Sequence, residues 1–293
     1  MKVTIHCAHC LLKRALNQAS LATDDPEKQM QVIAAITSLL GDQLTPDSVP
    51  SHIGTERDLL VQRITGKDPY RDLKRQSNEA ALLLVPELER MLASVVEGRK
   101  RFRTATLVAA AANSIEFDVS GRDFSLEDLK CLIDSVEADL AIDQVDEFYD
   151  LCTRVKDVLY LLDNAGELVF DMFLIREIRR AGPRVTAVVK GGAVLNDATV
   201  EDAESVKLSS CADSVISTGA AAIGVNLERS SDEFREAFYS SQLIVAKGMG
   251  NYESLTEFRP PSPTVHIMRT KCPPVASHVG VPLNKNVVLI RLP

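Results

Sequence analysis

The feature that most constrains this chain is a change of hydrophobic period near Asp157. Beyond it, short apolar runs rich in β-branched residues alternate with amphipathic segments. The runs are Val158–Leu162, Val185–Val189, Ser214–Ser217, Leu243–Ala246, Val265–Met268 and Val287–Ile290. Near-continuous apolar runs of this length suit strands covered on both faces, the usual condition of a parallel sheet. The segments between them, such as Glu167–Arg180 before Gly182-Pro183 and Asp232–Tyr239, have the length and pattern of crossover helices. The pattern predicts a three-layer α/β domain of doubly wound type with a mostly parallel sheet.

Upstream of Asp157 the period is helical. Asp24-Asp25-Pro26 supplies a cap and a first-turn proline before Met30, Ile33, Ala34, Ile36 and Leu40, with Gly41 as the stop. Pro46, Pro50 and Gly54 predict a loop. Helix formers with apolar groups at helical spacing, among them Leu82, Leu88, Leu92 and Val96, run from Asn78 to Asn113, with Pro86 and Gly98 as punctuation. Ser125 caps a further stripe of Leu126, Leu129, Ile133, Val136 and Leu140. The expected division is an all-α N-terminal domain over residues 1–105 and an α/β catalytic domain over residues 106–293.

Lysine plus arginine number 33 against 41 aspartates and glutamates, a net charge of −8, which disfavours a nucleic-acid partner because a phosphate backbone demands a basic face. No apolar stretch reaches membrane-spanning length, so no membrane partner is expected. The start, MKVTIHCAHC, lacks the apolar core of a signal peptide. Six irregularly spaced cysteines, Cys7, Cys10, Cys131, Cys152, Cys211 and Cys272, make no disulfide framework, and a reduced, cytoplasmic protein is the expectation.

In an open parallel sheet, ligands bind outside the carboxyl ends of the strands. Four of the expected strands end in polar or glycine clusters: Asp163-Asn164-Ala165-Gly166-Glu167, Lys190-Gly191-Gly192 with Asn196-Asp197-Ala198-Thr199, Ser217-Thr218-Gly219, and Lys247-Gly248-Met249-Gly250-Asn251-Tyr252-Glu253. Asp163, Asn164 and Asp197 supply hard oxygens suited to magnesium or manganese. Lys190 and Lys247 offer point charges for a phosphate, and the adjacent Gly191, Gly192, Gly248 and Gly250 allow close backbone approach to an anion. Thr218-Gly219 is expected to open a helix whose free N–H groups add an anion site. The combination fits a divalent metal holding a phosphate ester. No GxxxxGK[ST] run, no GxGxxG after the first α/β strand, no DxD after Asp163 and no GxSxG elbow occurs.

These motifs together resemble the metal-dependent damage-control phosphatases, long catalogued as domain of unknown function eighty-nine. The resemblance spans nearly the whole chain, and Cys7-Ala8-His9-Cys10 with Lys271-Cys272 is similar to the microbial branch that carries a CxxC. It implies a helical domain on a Rossmann-like α/β domain. It also implies phosphomonoester hydrolysis with manganese, cobalt, nickel or magnesium, and small phosphorylated metabolites such as sugar phosphates or phosphopantetheine-like esters as substrates. By motif match, Asp163, Asn164 and Asp197 become metal ligands and Lys247 the phosphate-binding lysine, with Gly248, Gly250 and Asn251 beside it. Asn113 falls near the site, with Ala112 and Glu116 where the family uses glycine and aspartate. Asp163, Asp197 and Lys247 are the residues expected to carry catalysis, with Thr218 and Gly219 touching substrate. Cys7, Cys10 and Cys272 could supply three corners of a zinc site. Two other classes use the same sheet type: an adenosyl-cofactor methyltransferase and a non-catalytic phosphometabolite-binding protein. The sequence assigns no oligomeric state.

Overall fold

The computed structural model describes residues 1–112 and 126–293. Two expectations, Asn113 beside the site and Ser125 as a helix cap, lie outside the described residues.

Helices α1 (Ile5–Ala22), α2 (Pro26–Gln43) and α3 (Pro50–Thr65) pack around Ala15, Ala19, Val32, Ile36 and Val61. Asp25 caps α2, its carboxylate accepting the N–H groups of Glu27 and Lys28 ahead of Pro26 in the first turn. The loop expected through Gly54 ends sooner, because Pro50 opens α3 and Gly54 lies inside it. Proline is at home in a first turn. Gly54 serves packing: a Cβ there would stand 2.9 Å from Ile223 Cδ1, so the missing side chain lets α3 lie against a loop of the α/β layer. The Ile223 N–H donates to Thr55 Oγ1 across the same contact, at 2.9 Å.

Helices α4 (Arg71–Leu82), α5 (Val85–Ala93) and α6 (Gly98–Ala112) share the core of the sheet through Ala81, Leu88, Phe102 and Leu107. The boundary expected after residue 105 thus falls within α6, a helix buried against the sheet layer.

After α7 (Leu126–Ala138) comes a strand that periodicity assigned to the preceding helix: β1 (Leu140–Asp143). Its four residues have no local strand signal, and it forms by parallel pairing with the distant β7. The remaining elements are α8 (Val145–Cys152), β2 (Asp157–Leu161), α9 (Glu167–Ala181), β3 (Arg184–Val189), α10 (Val200–Ser205), β4 (Ser214–Ser217), α11 (Asp232–Ser240), β5 (Leu243–Lys247), α12 (Gly248–Leu255), β6 (Thr264–Arg269), α13 (Pro273–Val279) and β7 (Asn286–Arg291). All six expected strands are present. The seven-stranded sheet has the order β1-β7-β6-β5-β2-β3-β4, parallel except for the antiparallel β6–β7 pair.

Successive residues of one strand feed opposite layers. Val158 and Tyr160 of β2 enter the core beneath α6 and α9, while Leu159 and Leu161 pack with Phe234, Phe238 and Leu255 of α11 and α12. That alternation makes the three layers. From β2 the chain proceeds through β3 to β4 on one side, then returns to place β5 on the other side of β2. The reversal makes the crevice above β2 and β5 the topological switch point, where open α/β sheets bind ligands.

Candidate active site

The loops that follow β2 and β3 are tied together. Asn164 and Asp197 form an isolated antiparallel bridge, with the Ala165 N–H donating to Asn196 O at 2.9 Å and the Ala198 N–H to Asp163 O at 2.8 Å. This pairing brings Asp163 and Asp197 to one place at the switch point. Asp197 is buried, and burial pushes its carboxyl up to about 6 against the pull of Lys190. Burial, then Glu167 and Asp197, hold the Asp163 carboxyl well above the usual carboxylate range, with Lys247 and Lys190 opposing. Asn164 gives its amide donors to both neighbours, Asp163 Oδ2 at 3.0 Å and Glu167 Oε1 at 2.7 Å.

Both expected phosphate lysines face inward. Lys247 is fully buried, its Nζ donating to Asp171 Oδ1 at 2.6 Å and Ala109 O at 2.9 Å, with Glu167 Oε2 at 3.9 Å. Burial works against its charge, but Asp171 and Glu167 outweigh burial and hold the ammonium above its usual pKa. The Tyr160 hydroxyl donates to the same Asp171 oxygen at 2.7 Å. Lys190 donates to Gly224 O at 2.6 Å and stands 3.6 Å from Asp197 Oδ2. The reason is general: a buried ammonium persists only when paired. Each lysine therefore neutralises an acidic partner of the site.

The glycines also serve the protein's own packing. A Cβ on Gly248, at φ +75°, would stand 1.9 Å from Asp163 Oδ2, so this residue makes the room in which Asp163 sits. A Cβ on Gly191 would come within 2.4 Å of the Gly219 backbone. The Gly191 N–H is already given to Ala220 O at 3.1 Å, and Gly192 packs against Ala221. Gly250 lies against Ile223. Thr218 does not open a helix. Its hydroxyl turns back to donate to Ala220 O at 3.0 Å, and an irregular loop follows Gly219. The helix start at this edge is instead α12, whose first turn is Gly248-Met249-Gly250. Asn251, in that helix, donates to Leu162 O at 3.2 Å and Lys247 O at 2.8 Å, and its buried Oδ1 finds no hydrogen-bond partner.

Sequence reasoning missed several members. Glu167 and Asp171 stand one turn apart on α9 and project to the same side. Asp171, set among the apolar residues of LVFDMFLI, was a legible signal of a buried charge. Asn78 of α4 had none: its Oδ1 accepts the Gly166 N–H at 2.7 Å and its Nδ2 donates to Asp202 at 2.9 Å, fixing the start of α9. Asp58 of α3 was equally silent. It accepts from Gln18 and from Gln62 at 2.7 Å, while Gln62 also donates to Ala193 O at 3.0 Å. Helix α3 thereby grips the loop that presents Asp197, in which Leu195 takes the unusual φ of 46°.

Two buried carboxylates and an amide, with an unmatched Asp171 Oδ2 and Asn251 Oδ1 among the buried polar atoms, are a donor set that fits a hard divalent cation. Of the three thiols expected at a zinc site, Cys272 is half-buried, and its pKa is raised by burial and by the neighbouring Cys7 and Cys10. Cys7 is buried against Leu11 and Ile53, with its sulfur 3.4 Å from the Thr4 N–H; Cys10 is exposed. Among the described residues, no three His, Cys, Asp or Glu side chains converge as a metal-ligand group.

A doubly wound sheet with an acidic, lysine-balanced crevice at its switch point defines an α/β protein whose ligand site lies at the carboxyl ends of its strands. The chain belongs to the damage-control phosphatase family: the model of the damage-control phosphatase ARMT1-like domain matches residues 3–287. A damage-control phosphatase of Archaeoglobus fulgidus is 34% identical over 96% of each chain. One of Pyrococcus horikoshii is 33% identical over 96% of each. An uncharacterised protein of Methanocaldococcus jannaschii is 36% identical over 99% of this chain and 96% of its own. The crystal structure of a DUF89 family protein from Pyrococcus horikoshii superposes with a TM-score of 0.89 at 32% identity, covering 99% of both chains. Among the described residues, no helix is long and apolar enough to cross a membrane.

Proposed function

We propose that this chain is a divalent-cation-dependent phosphomonoester hydrolase acting on small phosphorylated metabolites, sugar phosphates or phosphopantetheine-like esters among them. The observation that carries the reading is the buried Asp163–Asp197 pair, both of whose carboxyls burial holds above their usual range. Asp163, Asn164 and Asp197 would hold the ion, with manganese, cobalt, nickel and magnesium as the candidates. An ion held there supplies Lewis-acid polarisation of the phosphoryl group.

The protein's own groups do the rest. Gly248 leaves Asp163 its space, and the bridge between the two loops ties together the backbones that carry the two carboxylates. Lys247 offsets the charge of Glu167 and Asp171 beside the pair. The first-turn N–H groups of α12 offer donors for phosphoryl oxygens. Asp197, steadied by Lys190, receives the proton of the attacking water.

An aryl-phosphate assay tests the reading, run after chelation and after restoring each divalent metal singly. Hydrolysis that disappears with chelator and returns with metal is the expected result. Phosphate binding without turnover under every metal would reduce the chain to a metabolite-binding protein. Methyl-donor binding without hydrolysis would favour a methyltransferase.

A further inference from the structure

The helical layer contributes two cations that the phosphoryl chemistry above does not use. Arg57 of α3 is 1% exposed, yet its Nε and Nη2 find no hydrogen-bond partner among the described residues. A buried guanidinium with two nitrogens left unbonded is costly for a fold to retain. Its sequence neighbour Asp58 is the nearest counter-charge, but the Asp58 oxygens are already occupied by Gln18 and Gln62. Arg14 of α1 is exposed and forms no ion pair among the described residues. It lies one turn before Gln18, whose amide donates to Asp58, so α1 carries it to the same side as Arg57, and its charge bears on Arg57, Tyr70, Glu253 and Asp197.

Two like charges on neighbouring helices, one of them buried with two of its three nitrogens unbonded, are stabilised by an anion that completes them. Helix α3 sets that place against the phosphoryl centre. Through Gln62 it holds Ala193, four residues before Asp197, and through Thr55 it holds Ile223. Tyr70, which feels both arginines, packs with Val194 and Leu195 of the same loop.

We propose that Arg14 and Arg57 form a second anion subsite beside the phosphoryl centre, so that the substrate is a phosphomonoester carrying a further anionic group, a carboxylate or a second phosphate. This rests on the phosphatase reading for the position of the first phosphate. Arginine suits the role because its fork pairs with either group in two parallel hydrogen bonds. The residues are specificity-determining: they select the substrate and leave the reacting atoms to the strand ends.

The test measures both binding and turnover of four probes with manganese present: phenyl phosphate, 3-carboxyphenyl phosphate, 4-carboxyphenyl phosphate and phenylene bisphosphate. The wild-type chain is expected to bind at least one doubly anionic probe about tenfold or more tightly than phenyl phosphate. Which probe wins separates carboxylate from phosphate as the second group. In Arg14→Gln and Arg57→Met that ratio falls toward one, while Arg57→Met melts at the same or a higher temperature, because an uncompensated buried charge is gone. Arg14 is exposed, so Arg14→Gln stays informative if Arg57→Met misfolds. A wild-type ratio near one, a ratio unchanged in the variants, or an equal loss for all probes overturns the subsite. Binding preference without any turnover leaves the subsite standing and overturns the phosphatase reading.

Discussion

The two ends of the parallel sheet handle charge in opposite ways. At the amino ends, pairs are exposed and complete: Arg179 meets Asp213 through two bonds of 2.7 and 2.9 Å, and Arg184 meets Asp157 at 2.7 Å. Burial tends to raise the Asp213 pKa, but the Val185 N–H and Arg179 outweigh it and hold the carboxyl below its usual range. At the carboxyl ends the acids are buried, crowd one another, and are held above that range. The same residue types thus stabilise one end and strain the other. Strain at a ligand-binding edge is a mark of function, and its release is available to whatever binds there.

The sharpest way to break this contrast is to remove one acid from each end. Asp163→Ala should lower turnover on the order of a thousandfold while leaving the fold intact, as expected when a group central to charge stabilisation is lost. Asp213→Asn should leave turnover essentially unchanged. Circular dichroism and steady-state kinetics on the same samples check both, and wild-type activity in Asp163→Ala at saturating metal would remove the distinction between the ends.

Removing one cation from each end comes next. Lys247→Met leaves Asp171 buried without its counter-charge and should destabilise the protein by about 3 to 5 kcal/mol. Arg184→Ala, on a side chain 77% exposed, should cost under about 1 kcal/mol. Urea unfolding of the two variants measures the difference, and equal losses would mean that burial does not separate these pairs.

The smallest effect concerns pH. A carboxyl held below its usual range contributes stability that is present above its unfolded pKa of about 4 and is lost as pH falls through the folded value. Asp213→Asn should therefore be less stable than wild type by about 1 kcal/mol at neutral pH, and the gap should close below about pH 4. A gap that persists unchanged at low pH would show that hydrogen-bond geometry, with no contribution from charge, holds this end.

Much of the sheet was legible because β-branched runs report two-sided burial directly. The strand-end clusters were legible because a doubly wound sheet collects them at one edge. What sequence could not supply was long-range. β1 exists only because β7 pairs with it, and Gly54 is helical because α3 must approach Ile223. The lysines and glycines were read by residue type as ligand groups, whereas burial turns Lys190 and Lys247 onto carboxylates and crowding explains Gly191 and Gly248. Asp58, Asn78 and Arg57 sit in helices whose sequence contains no local sign of the loops they meet.

The most direct test of the central claim is calorimetric titration of Mn²⁺ into chelator-stripped wild type, Asp163→Asn, Asp197→Asn and Asp213→Asn, with inorganic phosphate present. One ion per chain should bind to wild type and Asp213→Asn, and that event should vanish in either of the other two. Binding of wild-type strength in both Asp163→Asn and Asp197→Asn would contradict a shared ion at the carboxyl ends of β2 and β3.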